Sequence, residues 1–212
     1  MRHARPLLRI GAAMPLIMVA VVWIAQALYP GFNMGSQYIS ELGALKAPHP
    51  LVFNLGMMLV GVVGILAGAG FTHALEAAGG RRIVSAFAGL WVAITGLGLV
   101  FAGLFHFPDD MHRTVGIALA VQVAPIFSAW ALWGVVAHRR LIWLSLGWSV
   151  LMLLVFMLMA GAWDVRTGSD VGLWQRWHGF LGALWIGIAC FALERGLEDS
   201  VLDESEVEVP AH

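Results

Sequence analysis

An all-α polytopic membrane bundle of six transmembrane helices is the fold class this sequence predicts, on three observations. Hydrophobic residues make up 60% of the 212 residues and charged residues only 12%. The mean hydropathy is +0.83, and a soluble domain of this size needs far more polar surface. Several apolar runs exceed the roughly 18 residues that mark a membrane-spanning helix. Loop-breaking clusters separate those runs: Tyr29-Pro30-Gly31, Pro48-His49-Pro50, Gly79-Gly80, Phe107-Pro108 and Thr167-Gly168-Ser169. The spans therefore fall at 8–29, 51–77, 83–105, 113–137, 141–163 and 172–194. This gives one transmembrane domain over 1–195 and an acidic tail over 196–212, expected to be disordered. The acidic residues from Glu194 to Glu208 are expected to be solvated.

The first span follows Arg2, Arg5 and Arg9 and contains Ala25-Gln26-Ala27, which resembles a signal-peptidase site. The run from Ile10 to Tyr29 is longer than a signal peptide's apolar core, so it is expected to remain as an uncleaved first helix. Pro15 and Pro125 are expected to bend the first and fourth spans. Gly64-x-x-x-Gly68 and Gly179-x-x-x-Ala183-x-x-x-Gly187 each put small residues on one helical face, a spacing that lets helix backbones approach closely. No internal repeat of the transporter kind is visible.

A net charge of −1 gives no electrostatic footprint for nucleic acid. The single cysteine, Cys190, excludes an intramolecular disulfide and any zinc site built on paired cysteines. Basic residues set the orientation. With the N-terminus inside, the inner segments hold Arg2, Arg5, Arg9, Arg81, Arg82, Arg139, Arg140 and Arg195. The outer segments hold only Lys46, Arg113, Arg166 and Arg176. Both termini are therefore expected in the cytoplasm of a cell-membrane protein.

Under that topology the chemistry-bearing residues gather on the outer side, in three loops and the helix ends beside them. The stretch FHFPDDMHRT crowds His106, Asp109, Asp110, His112 and Arg113 into the turn after the third span. Pro108 ends that span, and Asp109 or Asp110 is placed to cap the next helix. The other aspartate and His112 are expected to face a pocket. In the first loop, NMGSQYISELGALKAPHP, the apolar Tyr38, Ile39 and Leu42 can carry Ser40 and Glu41 into the membrane boundary. Alternatively, Ser40 caps a short helix beginning at Glu41. The last outer loop contributes Asp164, Arg166 and Asp170 and leads into GLWQRWHGFLGALW, with Trp174 and Trp177 suited to the interface. Gln175 and His178 stand three residues apart and share a face, whereas Trp174 and Arg176 point elsewhere. His178 lies roughly 10 Å down the helix from Asp170. At that depth it should face the bundle or a cavity, because lipid offers it no partner.

ISELGA in the first loop, FP-D with a following histidine after the third span, and GLWQR opening the last span together resemble the domain-of-unknown-function family 998 of small bacterial and archaeal membrane proteins. The resemblance covers about residues 10 to 195. It implies that Ser40, Glu41, Asp109 or Asp110, His112, Gln175 and Arg176 are signature positions, and it implies no reaction. More loosely, the chain is similar to alkaline-ceramidase-type membrane hydrolases, which group a serine, an aspartate and three histidines around zinc at one membrane face. It departs from them in having six spans and in lacking paired histidines one turn apart in the last span.

Two functions follow as expectations. In the first, the protein is a metal-dependent hydrolase of a lipid or lipid-linked substrate. His106, His112 and His178 would bind zinc, with Asp109 or Asp110 able to replace one of them. Glu41 would serve as general base, and Arg176 or Arg113 would hold an oxyanion or phosphate. Ser40 would belong to the catalytic group and Gln175 to the ligand contacts. In the second, the same pocket serves a non-enzymatic small-ligand binding protein, transporter or sensor, with histidines titrating near neutral pH. The scarcity of polar residues deep in the spans weighs against a transporter. A haem or quinone anchor is disfavoured because His73 and His138 lie at the opposite end from His178. A cluster that merely caps loops and helix ends is the remaining alternative. The partner implied throughout is the lipid bilayer, with the oligomeric state left open. Topology reporters fused at Gly80 and Arg140 should read cytoplasmic, and those at Lys46 and Gly168 external; an external tag at His212 would contradict the orientation.

Overall fold

The computed structural model describes residues 4–162 and 169–207, with the side chains of 113–115 and 198–207 outside the description. Asp164, Arg166 and the Thr167-Gly168 breaker fall outside the described residues. The described chain is all helical: α1 (Ala4–Ala12), α2 (Met14–Ala27), a 3₁₀ turn η1 (Ile39–Gly43), α3 (Pro50–Ala77), α4 (Arg82–Leu104), a 3₁₀ helix η2 (Asp110–Gln122), α5 (Ala124–Ala131), a 3₁₀ turn η3 (Val136–His138), α6 (Arg139–Met159) and α7 (Val171–Val207). These elements give six segments long and apolar enough to cross a membrane: Ala4–Ala27, Pro50–Ala77, Arg82–Leu104, Asp110–Ala131, Val136–Met159 and Val171–Leu197. The protein is a multi-pass integral membrane protein.

The prolines act where the sequence places them. Pro15 and Pro125 stand in the first turns of α2 and α5, where a missing N–H removes no helical bond. The chain breaks just before each, at Ala13 and Val123. The fourth span differs from expectation in type and extent. It starts at Asp110 as a 3₁₀ helix and ends at Ala131, not at residue 137. Gly134, with φ 97°, turns the chain there. The Ala131 carbonyl accepts from the Arg81 N–H at 3.0 Å rather than continuing a helix. The 3₁₀ form rises about 2.0 Å per residue, so this short span still covers more than the roughly 30 Å hydrocarbon core.

The bundle closes as a ring. α3 packs on α4, α4 on η2 and α5, α5 on α6, α6 on α7, α7 on α1 and α2, and these return to α3. The tightest pair is the α3–α4 hairpin, turned by Gly79 with φ 85°. Here the small-residue face becomes physical. A Cβ at Gly61 would lie 2.5 Å from the Gly96 carbonyl oxygen, and one at Gly96 would lie 2.5 Å from the Gly61 carbonyl oxygen. A Cβ at Gly68 would meet the Gly89 carbonyl at the same distance. Backbones this close exchange dispersion contacts that lipid cannot supply. On α7 the Gly179–Gly187 face receives the first span, with Gly187 against Pro15 and Gly179 against Met18.

At the arginine-rich end, Glu194 departs from the solvated tail expected of it. It is buried, 7% exposed. Its carboxylate accepts from Arg9 at 2.9 Å and from Arg5 at 3.5 Å, tying α1 to α7. A lone buried carboxylate would be costly, and two arginines from a neighbouring helix compensate it.

Candidate functional site

At the other end, the first loop is clamped onto α7. Asn33 opens it with an Asx turn, its Oδ1 accepting from the N–H groups of Gly35 and Ser36. The chain then runs across the start of α7, where the Gly172 N–H donates to the Gly35 carbonyl at 2.6 Å. Only glycine fits at position 172, because a Cβ there would meet the carbonyls of Met34 and Gly35 at 2.7 Å. Arg176 completes the clamp. Its Nη1 donates to the carbonyls of Met34, Gln37 and Gly172 at 2.7, 3.2 and 3.0 Å. Its guanidinium lies 5.3 Å from the centroid of Phe32. The side chain is 7% exposed, and among the described residues no carboxylate pairs with it. Its Nε and Nη2 have no hydrogen-bond partner there either. Carbonyl dipoles and an aromatic face carry the compensation for this cation.

The 3₁₀ turn η1 is fixed from both ends. Glu41 reaches back over it, with Oε1 accepting from the Tyr38 N–H at 2.8 Å and Oε2 from Gln37 Nε2 at 3.0 Å. Gln175 on α7 accepts from the Ile39 N–H at 2.6 Å. Asn54 on α3 donates to the Gly43 carbonyl at 3.0 Å. The turn starts at Ile39, so Ser40 lies inside it and does not cap it: Glu41 already satisfies the N–H at Tyr38, which sets the start one residue early. Ile39, Ser40 and Leu42 are buried as a result.

Beneath η1 is a cavity of about 280 Å³, reached by α2, α3, α4, η2, α6 and α7. Its wall is mostly apolar, including Met14, Met18, Met57, Leu99 and Met159, and its polar groups are Ser40, Thr95, His112, Gln175 and His178. The 3₁₀ geometry of η2 explains one side. With three residues per turn, His112, Ala118 and Val121 fall in one row, and all three line the cavity.

Each histidine is oriented from behind. His112 donates from Nδ1 to the Phe105 carbonyl, because a carbonyl can only accept. This leaves Nε2 with its lone pair. His178, 8% exposed, has its Nε2 2.6 Å from Gln122 Nε2. That amide nitrogen also donates to the Met152 carbonyl at 3.3 Å, which fixes which end of the amide faces the ring. His178 Nε2 is then an acceptor and its Nδ1 carries the proton. Among the described residues Nδ1 has no partner, and neither does the Ser40 hydroxyl or the Nε2 amide of Gln175. The cavity thus offers donors and one imidazole acceptor to whatever occupies it.

A family model described as "Protein of unknown function (DUF998)" matches residues 12–192. The chain belongs to this family. No curated protein and no solved structure matches it. The three motifs of this DUF998 chain meet in space. ISELGA supplies η1, GLWQR supplies Gly172, Gln175 and Arg176 that hold it, and the turn after α4 adds Phe107, whose ring stands 6.3 Å from Tyr38 and 5.9 Å from His112.

The sequence-predicted residues of the DUF998 chain separate into groups. Ser40, His112, Gln175 and His178 line the cavity. Glu41 and Arg176 hold the loop above it and are not among its lining residues. His106 is not among them either. Among the described residues no three His, Cys, Asp or Glu side chains gather where they could hold a metal ion. Asp109 is the helix cap, accepting from the Met111 N–H at 2.7 Å. Asp110, exposed beside it, does not line the cavity as the second aspartate was expected to. The Arg113 side chain lies outside the described residues. Gln122 and Asn54 were missed by sequence reading. Both are polar residues inside apolar runs, VQVAP and VFNLG, the very signal that marks an intramembrane partner. Asp109→Ala should lower stability by about 0.5–2 kcal/mol, while Asp110→Ala should stay within about 0.5 kcal/mol. Denaturant titration in mixed micelles measures both, and equal losses would contradict the assignment of the cap.

Proposed function

We propose that the protein is a membrane-embedded binding protein for one amphipathic small molecule or lipid. An apolar body would lie along Met14, Met18, Met57 and Leu99, and a polar head would meet Ser40, His112, Gln175 and His178. The observation that carries this reading is the division of labour at the two histidines. One nitrogen of each is held by the protein, by the Phe105 carbonyl and by Gln122, and the other is left for the cavity. A mostly apolar wall with a few convergent polar groups is the usual make-up of a small-molecule site, and such a wall is a poor host for water alone. Sensing or transport would build on the same binding step.

A metal-assisted hydrolase of a lipid or lipid-linked substrate is the second reading. It is favoured by His112, whose Nδ1–H bond to a carbonyl is the arrangement that orients a zinc-binding imidazole. Ser40 would be the nearby hydroxyl, with further ligands still required, because His178 Nδ1 carries its proton and its Nε2 accepts from Gln122.

The test is solvent extraction and mass spectrometry of detergent-purified protein, with metal analysis on the same samples. Met57→Trp fills the cavity and His178→Leu removes a head contact. The wild type should retain a molecule near one per chain, and both variants should lose most of it while eluting as the same folded species. If nothing retained by the wild type is depleted in either variant, the binding reading fails. Zinc retained by the wild type and lost in His112→Ala would favour the hydrolase instead.

A further inference from the structure

The arginine-rich end of the bundle carries a second concavity, remote from the cavity under the first loop. It is a groove of about 650 Å³ between the end of α3, the start of α6 and the last membrane-length turns of α7. Its lining includes His138, Arg140, Leu141, Phe191, Leu193 and Arg195. The spans Val136–Met159 and Val171–Leu197 begin and end here, so the groove sits where hydrocarbon gives way to headgroups.

Two of its basic side chains are placed by neighbours. The Arg195 guanidinium lies 4.7 Å over the Phe191 ring. His138 packs against the α7 backbone at Gly196, where an added Cβ would come 3.2 Å from the ring Cε1. Among the described residues neither Arg140 nor Arg195 has a carboxylate partner. Among the described side chains, Glu194 is committed to Arg5 and Arg9 and Glu76 to Arg82. The groove also receives the start of α6, whose first turn holds no acidic residue and no side-chain cap. Arginines at a helix N-terminus oppose its dipole. Arg140, Arg195 and that dipole therefore direct positive potential into one groove, and an anion there relieves all of them. Beside them Phe191, 51% exposed, and Leu141 offer an apolar wall. Free phosphate would leave that wall unused, whereas a phospholipid would cover it.

We propose that this groove binds an anionic phospholipid. The phosphate sits between Arg140, Arg195 and the first turn of α6, and an acyl chain runs along Leu141 and Phe191. Basic pockets at helix ends select anionic headgroups in this way.

The test uses the full chain in neutral detergent. Short-chain phosphatidylglycerol, short-chain phosphatidylcholine and inorganic phosphate are added separately, and lipid retention by native mass spectrometry is read beside the melting temperature. Phosphatidylglycerol should be retained and should raise the melting temperature, and the other two should do neither. Removing each groove arginine, as Arg140→Gln or Arg195→Gln, should weaken retention roughly fivefold. Arg81→Gln, at the same end but outside the groove, should leave it unchanged. Equal retention of phosphatidylcholine, stabilisation by phosphate alone, undiminished retention in the groove variants or an equal loss in Arg81→Gln would each overturn the proposal. The wild-type comparison of lipids decides even if a variant fails to fold.

Discussion

A guanidinium buried in the first turns of α7 organises the end of the bundle that holds the cavity. Arg176 is a full charge that cannot be released to water without tearing three backbone carbonyls from their donor. Two of those carbonyls belong to the first loop, so the loop has one resting place. From that follow the burial of η1, the position of Ser40 over the cavity and the contact of Gln175 with Ile39. A lysine could not substitute, because the stacking on Phe32 and the fixed fork of donors both need the planar guanidinium.

The remainder of the bundle is built to be rigid around a space. The α3–α4 hairpin closes on glycines so tightly that a single added methyl would strike backbone. Adding bulk at such a contact costs typically about 1–3 kcal/mol. Packed against α4, η2 contributes a row of residues at 3₁₀ spacing, and α7 contributes Gly179, Gly182 and Ala183 to the cavity wall. Small side chains serve two ends here. Against a helix they allow contact, and against no helix they leave room. The two ends of the molecule also treat charge differently. At the arginine-rich end a buried carboxylate is neutralised by arginines, while at the opposite end a buried arginine is held by carbonyls.

Much of the architecture is legible in the sequence because it depends on local composition. The six spans, the breaks before Pro15 and Pro125 and the glycine faces all follow from hydropathy and backbone sterics. The shared face of Gln175 and His178 follows from helical spacing, and both line the cavity. What escaped depends on partners far along the chain. Arg176 has the same formal charge whether it grips a substrate or a loop carbonyl, and only the fold brings Met34 to it. Glu194 looks like the start of an acidic tail until α1 delivers Arg5 and Arg9. The 3₁₀ winding of η2 has no periodic signature in a run of mixed small and apolar residues. With it was hidden the row that takes His112 into the wall.

Thiol accessibility at Ser40 tests the clamp most directly. Cys190 is the only cysteine and is buried, so a Cys190→Ser background carrying Ser40→Cys reports on the roof of the cavity alone. Adding Arg176→Gln removes charge-assisted hydrogen bonds worth about 1.5–3 kcal/mol, which should raise the open population, and the maleimide labelling rate, at least about tenfold. If the rate is the same with Arg176 and without it, the first loop is held by something else and Arg176 is not the anchor.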